Sequence, residues 1–183
     1  MVIAAIVACE IGFWVVLAAG LIARYGLRRP RLSTALLLAV PVVDLALLVF
    51  TAVDLRRGAE PTAAHSLAAI YLGFTVAFGH DIIRWADARV AARFAGGPPP
   101  RRSAPGGTAA RMREEWRAFG LAALGATLAA AAMLLLAGIS PSDDRWALLG
   151  ALPVVGTVLM VWLIGWPVTE TVRVLLRRRP AAL

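Results

Sequence analysis

Apolar residues run through this chain in five long blocks separated by short, arginine-rich stretches. The blocks cover about Val2 to Ala23, Ser33 to Val53, Thr62 to Ile83, Ala118 to Ile139 and Trp146 to Val168. A bilayer hydrocarbon core of roughly 30 Å needs about 20 apolar residues in helical form, and each block meets that length. The pattern therefore predicts an all-α, polytopic membrane helix bundle with five transmembrane helices.

Charge fixes the expected orientation. All 19 basic residues are arginine. With the N-terminus outside, sixteen lie on the inner face and only Arg56, Arg57 and Arg145 outside. That is the asymmetry of the positive-inside rule, so the expected topology is N-out and C-in. Trp85, Trp116, Trp146 and Trp166 fall near the predicted interfaces, where indole is favoured. Composition agrees, because 60% hydrophobic residues, 16% charged residues and a mean hydropathy of +0.76 are too apolar for a soluble domain. The net charge of +8 follows from topology, and nucleic acid is not an expected partner. The arginine-rich inner face is instead expected to meet anionic lipid headgroups, with a homo-oligomer or a membrane-protein partner also open.

The third inter-block stretch contains GGPPPRRSAPGG, which cannot continue a helix. It divides the chain into an expected three-helix unit over 1–94, a linker over 95–107 and a two-helix hairpin with a basic tail over 108–183. The third helix is expected to run past the membrane as an interfacial stem through DIIRWADARVAARF. Pro167 should break or kink the fifth. In the hairpin, Ala122, Ala126 and Ala130 stand at small-xxx-small spacing, which lets another helix approach closely. No internal repeat or equal inverted halves are visible, although a dimer could supply symmetry.

The chemistry-bearing residues fall in the first three blocks. Asp44 is the sole charge between Ser33 and Val53, near the expected bilayer centre. From the helical rise, Glu10, Asp44 and Tyr71 lie about 12 to 14 Å below the outer ends of their blocks. Short loops make these helices neighbours, so the three side chains could converge on a buried protonatable, ion or ligand site. A proton shared among them, or a bound cation, would lower the cost of burying two carboxylates. Hydrogen bonds that simply join helices are the other reading, at around 0.6 to 2 kcal/mol each. A second group, His80, Asp81, Arg84 and Asp87, lies near the inner end of the third block. His80 and Arg84 share a face at i, i+4, and Asp81 and Arg84 neighbour each other at i, i+3. It reads either as a headgroup anchor or proton exit, or as a salt-bridged helix end.

Cofactor and metal chemistry find little support. The single cysteine, Cys9, excludes an internal disulfide and a CxxC motif, and the start lacks the basic region of a signal peptide, so the first helix is expected to be retained. His65 and His80 stand about 22 Å apart on one helix and cannot share a metal or haem within one subunit. GxxxxGK[ST], HExxH and GxSxG are absent, which removes P-loop ATPases and zinc proteases of that kind. No catalytic residue, metal or cofactor is assigned.

The segments CEIGFWVVLAAGLIARY, PVVDLALLVFTAVDLRRGA and LAAIYLGFTVAFGHDIIRWADARVAARFAGGPPP resemble a family of small bacterial integral membrane proteins, the YmcC-like type. The resemblance covers about residues 8–100 well and the hairpin loosely. It implies a multi-pass protein of a bacterial cytoplasmic (inner) membrane and brings no activity with it. The leading expectation is proton- or cation-coupled transport through Glu10, Asp44 and Tyr71. The alternatives are a non-transporting accessory or scaffold subunit of a membrane complex and, less favoured, an intramembrane enzyme acting on lipid.

Overall fold

The computed structural model describes residues 2–94, 96, 98–99, 103–141 and 145–177; within the helices it leaves twelve side chains undescribed, Glu10 and Asp44 among them. The described chain is all-helical. The helices are α1 (Val2–Tyr25), α2 (Pro30–Arg56), α3 (Ala63–Phe94), α4 (Ala109–Ile139), a single turn α5 (Trp146–Leu149), α6 (Leu152–Leu163) and α7 (Thr169–Arg177). A π-helical turn, Ile164–Val168, joins α6 to α7.

Among the described residues, three helical stretches, where the sequence pattern predicts five, are long and apolar enough to cross a membrane: Ala63–Phe94, Ala109–Ile139 and Trp146–Arg177. The first two have 32 and 31 residues, about 48 and 46 Å at the helical rise, so each extends beyond a hydrocarbon core. The stem expected after Ile83 is therefore the uninterrupted end of α3. At the other side of the linker α4 begins nine residues before the apolar block does. Thr108 caps it, its hydroxyl accepting from the Arg111 N–H at 3.2 Å. Pro167 does not end the last helix. The π turn absorbs the missing N–H, and α7 continues on the far side.

The closest seam lies between α3 and α4, across the Gly/Pro linker, so the two expected units share an interface. Gly73 makes it possible: a Cβ there would lie 2.3 Å from the Gly125 carbonyl oxygen and 2.7 Å from the Ala129 nitrogen. Ala122, Ala126 and Ala129 are buried along the same seam. Of the expected stripe, Ala122 and Ala126 are buried and Ala130 only half-buried; it is Gly125 and Ala129 beside it that meet Gly73, so that backbone packs on backbone. Towards the α2–α3 loop the seam widens into a core of Leu55, Ala69, Met133, Leu136 and Leu148, drawn from α2, α3, α4 and α5. Helices α1 and α2 pack mainly on each other and then on α3, through Leu17, Leu37 and Ala86.

Candidate functional site

Polar side chains are concentrated at the two ends of the bundle, with Tyr71 between them. At the linker end, α1 and α4 are each tied to α3 by polar side chains. Asp87 of α3 accepts from the Tyr25 hydroxyl at 2.9 Å and lies 3.3 Å from the Arg24 guanidinium. Burial first, and then the hydrogen bond and negative charge of Asp87, raise the Tyr25 pKa, because both disfavour the phenolate. Asp81, less than two turns earlier on α3, receives Arg117 of α4 at 2.9 Å on both oxygens. His80 and Arg84 point outward and are exposed.

The expected four-residue cluster is thus divided among different partners. Asp81 does not use Arg84 at i, i+3, because Arg117 reaches it from the facing helix. Sequence spacing displays partners on one helix only, so neither cross-helix pair could be read from it. The Arg111–Glu115 pair at i, i+4 within α4 was legible in principle.

The same end holds a clasp on the linker. Glu170 of α7 is buried, accepts the Gly107 N–H at 2.7 Å and pairs with Arg173. The Gly107 bond, then the Arg173 hydrogen bond and charge, lower the Glu170 pKa against the opposing effect of burial. Gly107 sits at φ +73°, which favours glycine, and a Cβ there would lie 2.6 Å from the Arg177 Nε and push that flexible side chain aside.

At the opposite end, His65 is buried at the start of α3. Its Nδ1 accepts the Thr62 backbone N–H at 3.1 Å, which places the proton of the neutral ring on Nε2. Nε2 lies 3.5 Å from an Asp54 oxygen of α2, close enough for attraction and long for a hydrogen bond. Nearby, the Ser66 hydroxyl donates to the Leu148 carbonyl at 2.8 Å and joins α3 to α5. His80 lies far along α3 from His65, and among the described residues no group of three or more His, Cys, Asp or Glu could hold a metal ion.

Tyr71 is half-buried in a groove of about 420 Å³ that it lines with Leu67, Ile70, Phe74 and Phe78 of α3 and with Trp14 of α1. Phe74 stacks on Phe78 with centroids 6.0 Å apart, and Phe78 in turn stacks on Trp162 of α6. Glu10 stands one helical turn before Trp14 on α1, and Asp44 lies in the middle of α2. Their side chains lie outside the described residues.

No protein-family model and no solved structure matches the chain. A stretch of 82 residues is 52% identical to a protein of Bacillus subtilis (strain 168) described as "Uncharacterized membrane protein YmcC". The match takes in 45% of this chain and spans 44% of that protein's length. The similarity and the three apolar helices of spanning length agree in giving the chain a membrane location. Over the matched stretch, the chain is similar to that membrane protein, of which it spans less than half the length.

Proposed function

We propose that the chain crosses a bacterial cytoplasmic membrane five times, N-out and C-in, and that Glu10, Asp44 and Tyr71 form a buried site for proton- or cation-coupled transport. Helices α1 and α2, with 24 and 27 residues, supply the first two spans. The arginine distribution supports the orientation. The unit over 1–94 carries the site, and the hairpin over 108–183 braces it.

Helix register is the observation that carries this reading. α1 and α3 run parallel, and the Tyr25–Asp87 bond sets them against each other. Glu10 lies fifteen residues before Tyr25 and Tyr71 sixteen before Asp87, so at the helical rise the two are level to within about 2 Å. On the antiparallel side, Gly20 meets Leu37, where a Cβ would lie 2.9 Å from the leucine Cδ2. Counting outward from that contact brings Glu10 and Asp44 within about 5 Å of one level. Two carboxylates and a phenol at one depth can hold a proton or a cation between them, and intramembrane carboxylates of this kind mark proton and ion pathways.

The ties at the linker end favour a second reading. Asp81 and Asp87 both serve to join helices, and Glu10 and Asp44 could do the same in a non-transporting accessory subunit. Proton flux into liposomes under an imposed pH gradient and potential separates the two. Transport predicts flux in the wild type that Asp44→Asn abolishes without lowering the melting temperature. The accessory role predicts no flux in either protein and a lower melting temperature for the variant.

A further inference from the structure

The ends of α1 and α3 enclose a second groove, of about 440 Å³, lined by Ala18, Leu21, Ile22 and Tyr25 on one side and Val90 and Phe94 on the other. From Ala18 it runs to Gly26, eight residues or about 12 Å along α1. Its walls are carbon apart from the Tyr25 ring's own polar end, and that hydroxyl is committed to Asp87. Ile22, Leu27 and Phe94 are exposed beside it, so the slot opens sideways at the level where the helices leave the apolar region.

The charge around the mouth is one-sided. Arg24, Arg28, Arg29 and Arg93 border it in sequence, against one nearby carboxylate, Asp87, which already has Tyr25 and Arg24 as partners. Arg28 is also the sole non-glycine residue with positive φ among the described residues, at 53°. A side chain held in the left-handed region is uncommon and clusters at ligand-binding places. The conformation turns the chain at the groove's end and keeps Arg24, Arg28, Arg29 and Arg31 within one short turn and the two helix ends it joins, with Arg93 on α3 across the groove.

We infer that this groove is a binding site for one anionic glycerophospholipid, with an acyl chain in the slot between α1 and α3 and the phosphate against Arg28 and Arg93, which, unlike Arg24, do not share Asp87. An apolar slot alone would accept any chain. The uncompensated arginines select a headgroup with net negative charge and disfavour choline, whose ammonium would face the same guanidiniums. The inference rests on the membrane reading above, which places this end of the bundle among headgroups. It does not depend on whether Glu10 and Asp44 carry protons.

The test uses nanodiscs of phosphatidylcholine with a minor share of phosphatidylglycerol, which present the same lipids on both faces and so give an answer whichever way the protein inserts. The protein is then extracted in mild detergent, and the lipid retained per chain is counted by mass spectrometry. The wild type retains phosphatidylglycerol in preference to phosphatidylcholine. Arg28→Gly, which suits the backbone at φ 53°, keeps the melting temperature in neutral lipid and lowers retention about fivefold, the equivalent of about 1 kcal/mol for one arginine at an anionic headgroup. Ala18→Trp fills the slot without touching charge and lowers retention as well. Equal retention of the two lipids, or wild-type retention in both variants, overturns the site. Displacement of the lipid by soluble glycerol phosphate overturns the acyl slot, and with it the site as inferred. Flux that survives or fails in liposomes leaves each of these outcomes unchanged, so failure here is distinguishable from failure of the transport reading.

Discussion

The α3–α4 seam and the α1–α2 arm are both pairs of long helices, but they are joined by different means. In the seam, Gly73, Gly125 and Ala129 bring backbone against backbone, and a single added methyl would strike main-chain atoms. In the arm, Leu17 and Leu37 fill the space between helices, and Gly20 approaches only the flexible end of a leucine. Main-chain contact cannot yield, whereas side-chain contact can. Glu10 and Asp44, the two carboxylates of the proposed site, lie on the arm, in α1 and α2. On the transport reading, the rigid pair would brace the site and contribute Tyr71 from α3, while the pair able to adjust would carry the two carboxylates.

Substitutions at glycine break this contrast most sharply. Gly73→Val should cost about 3 kcal/mol or more, because neither Gly125 nor Ala129 can withdraw without separating the helices; a thermal melt in detergent would read it as a large drop. Gly12→Ala, on α1 with no described atom within 4 Å of the added methyl, should instead be neutral or stabilise by up to about 1 kcal/mol. Next in size is Ser66→Ala, which removes the bond to Leu148 and should cost about 1 kcal/mol in the same melt.

Two titrations sharpen the account of the linker end. Glu170 has a lowered pKa, so its clasp on Gly107 contributes stability above the usual carboxylate value of 4.5 and loses it as pH falls through the lowered value. Tyr25 has a raised pKa, so its bond to Asp87 contributes below the usual value of 10.0 and is lost as pH rises through the raised one. Melting temperature followed against pH should therefore fall at both extremes, the acid fall being reduced in Glu170→Gln and the alkaline fall in Tyr25→Phe. The smallest effect belongs to Arg117→Ala. Its ion pair with Asp81 is largely exposed, so the loss should stay within about 1 kcal/mol and shrink in high salt.

What the sequence disclosed follows from what helical periodicity and hydropathy can encode. Length and apolarity marked α1 to α4, because they are local properties, whereas the small-xxx-small spacing at Ala122, Ala126 and Ala130 fell beside Gly125 and Ala129, the residues that pack on Gly73. Position along each helix was readable for Glu10, Asp44 and Tyr71, since rise per residue is fixed. Partner choice was not. Asp81 turned to Arg117, Asp87 to Tyr25 and Asp54 to His65, each across helices whose rotation no local pattern records. Pro167 was legible as an irregularity, while its accommodation in a π turn depends on the bonds that neighbouring carbonyls can remake.

Convergence of the polar residues on the arm is the central claim, and cysteine cross-linking tests it most directly. In a Cys9→Ala background, Glu10→Cys with Asp44→Cys should form a disulfide readily in membranes under mild oxidation. Glu10→Cys with Leu37→Cys, which the Gly20 contact places about 15 Å from the level of Glu10 at the helical rise, should not. A disulfide requires Cα atoms within about 7 Å, so the reaction reports facing positions at one level. Rapid cross-linking of the first pair alone would place the two carboxylates against each other, as the register of α1 and α2 predicts. No cross-link in that pair, or equal reaction in both, would mean that Glu10 and Asp44 do not meet, and the shared site would be contradicted.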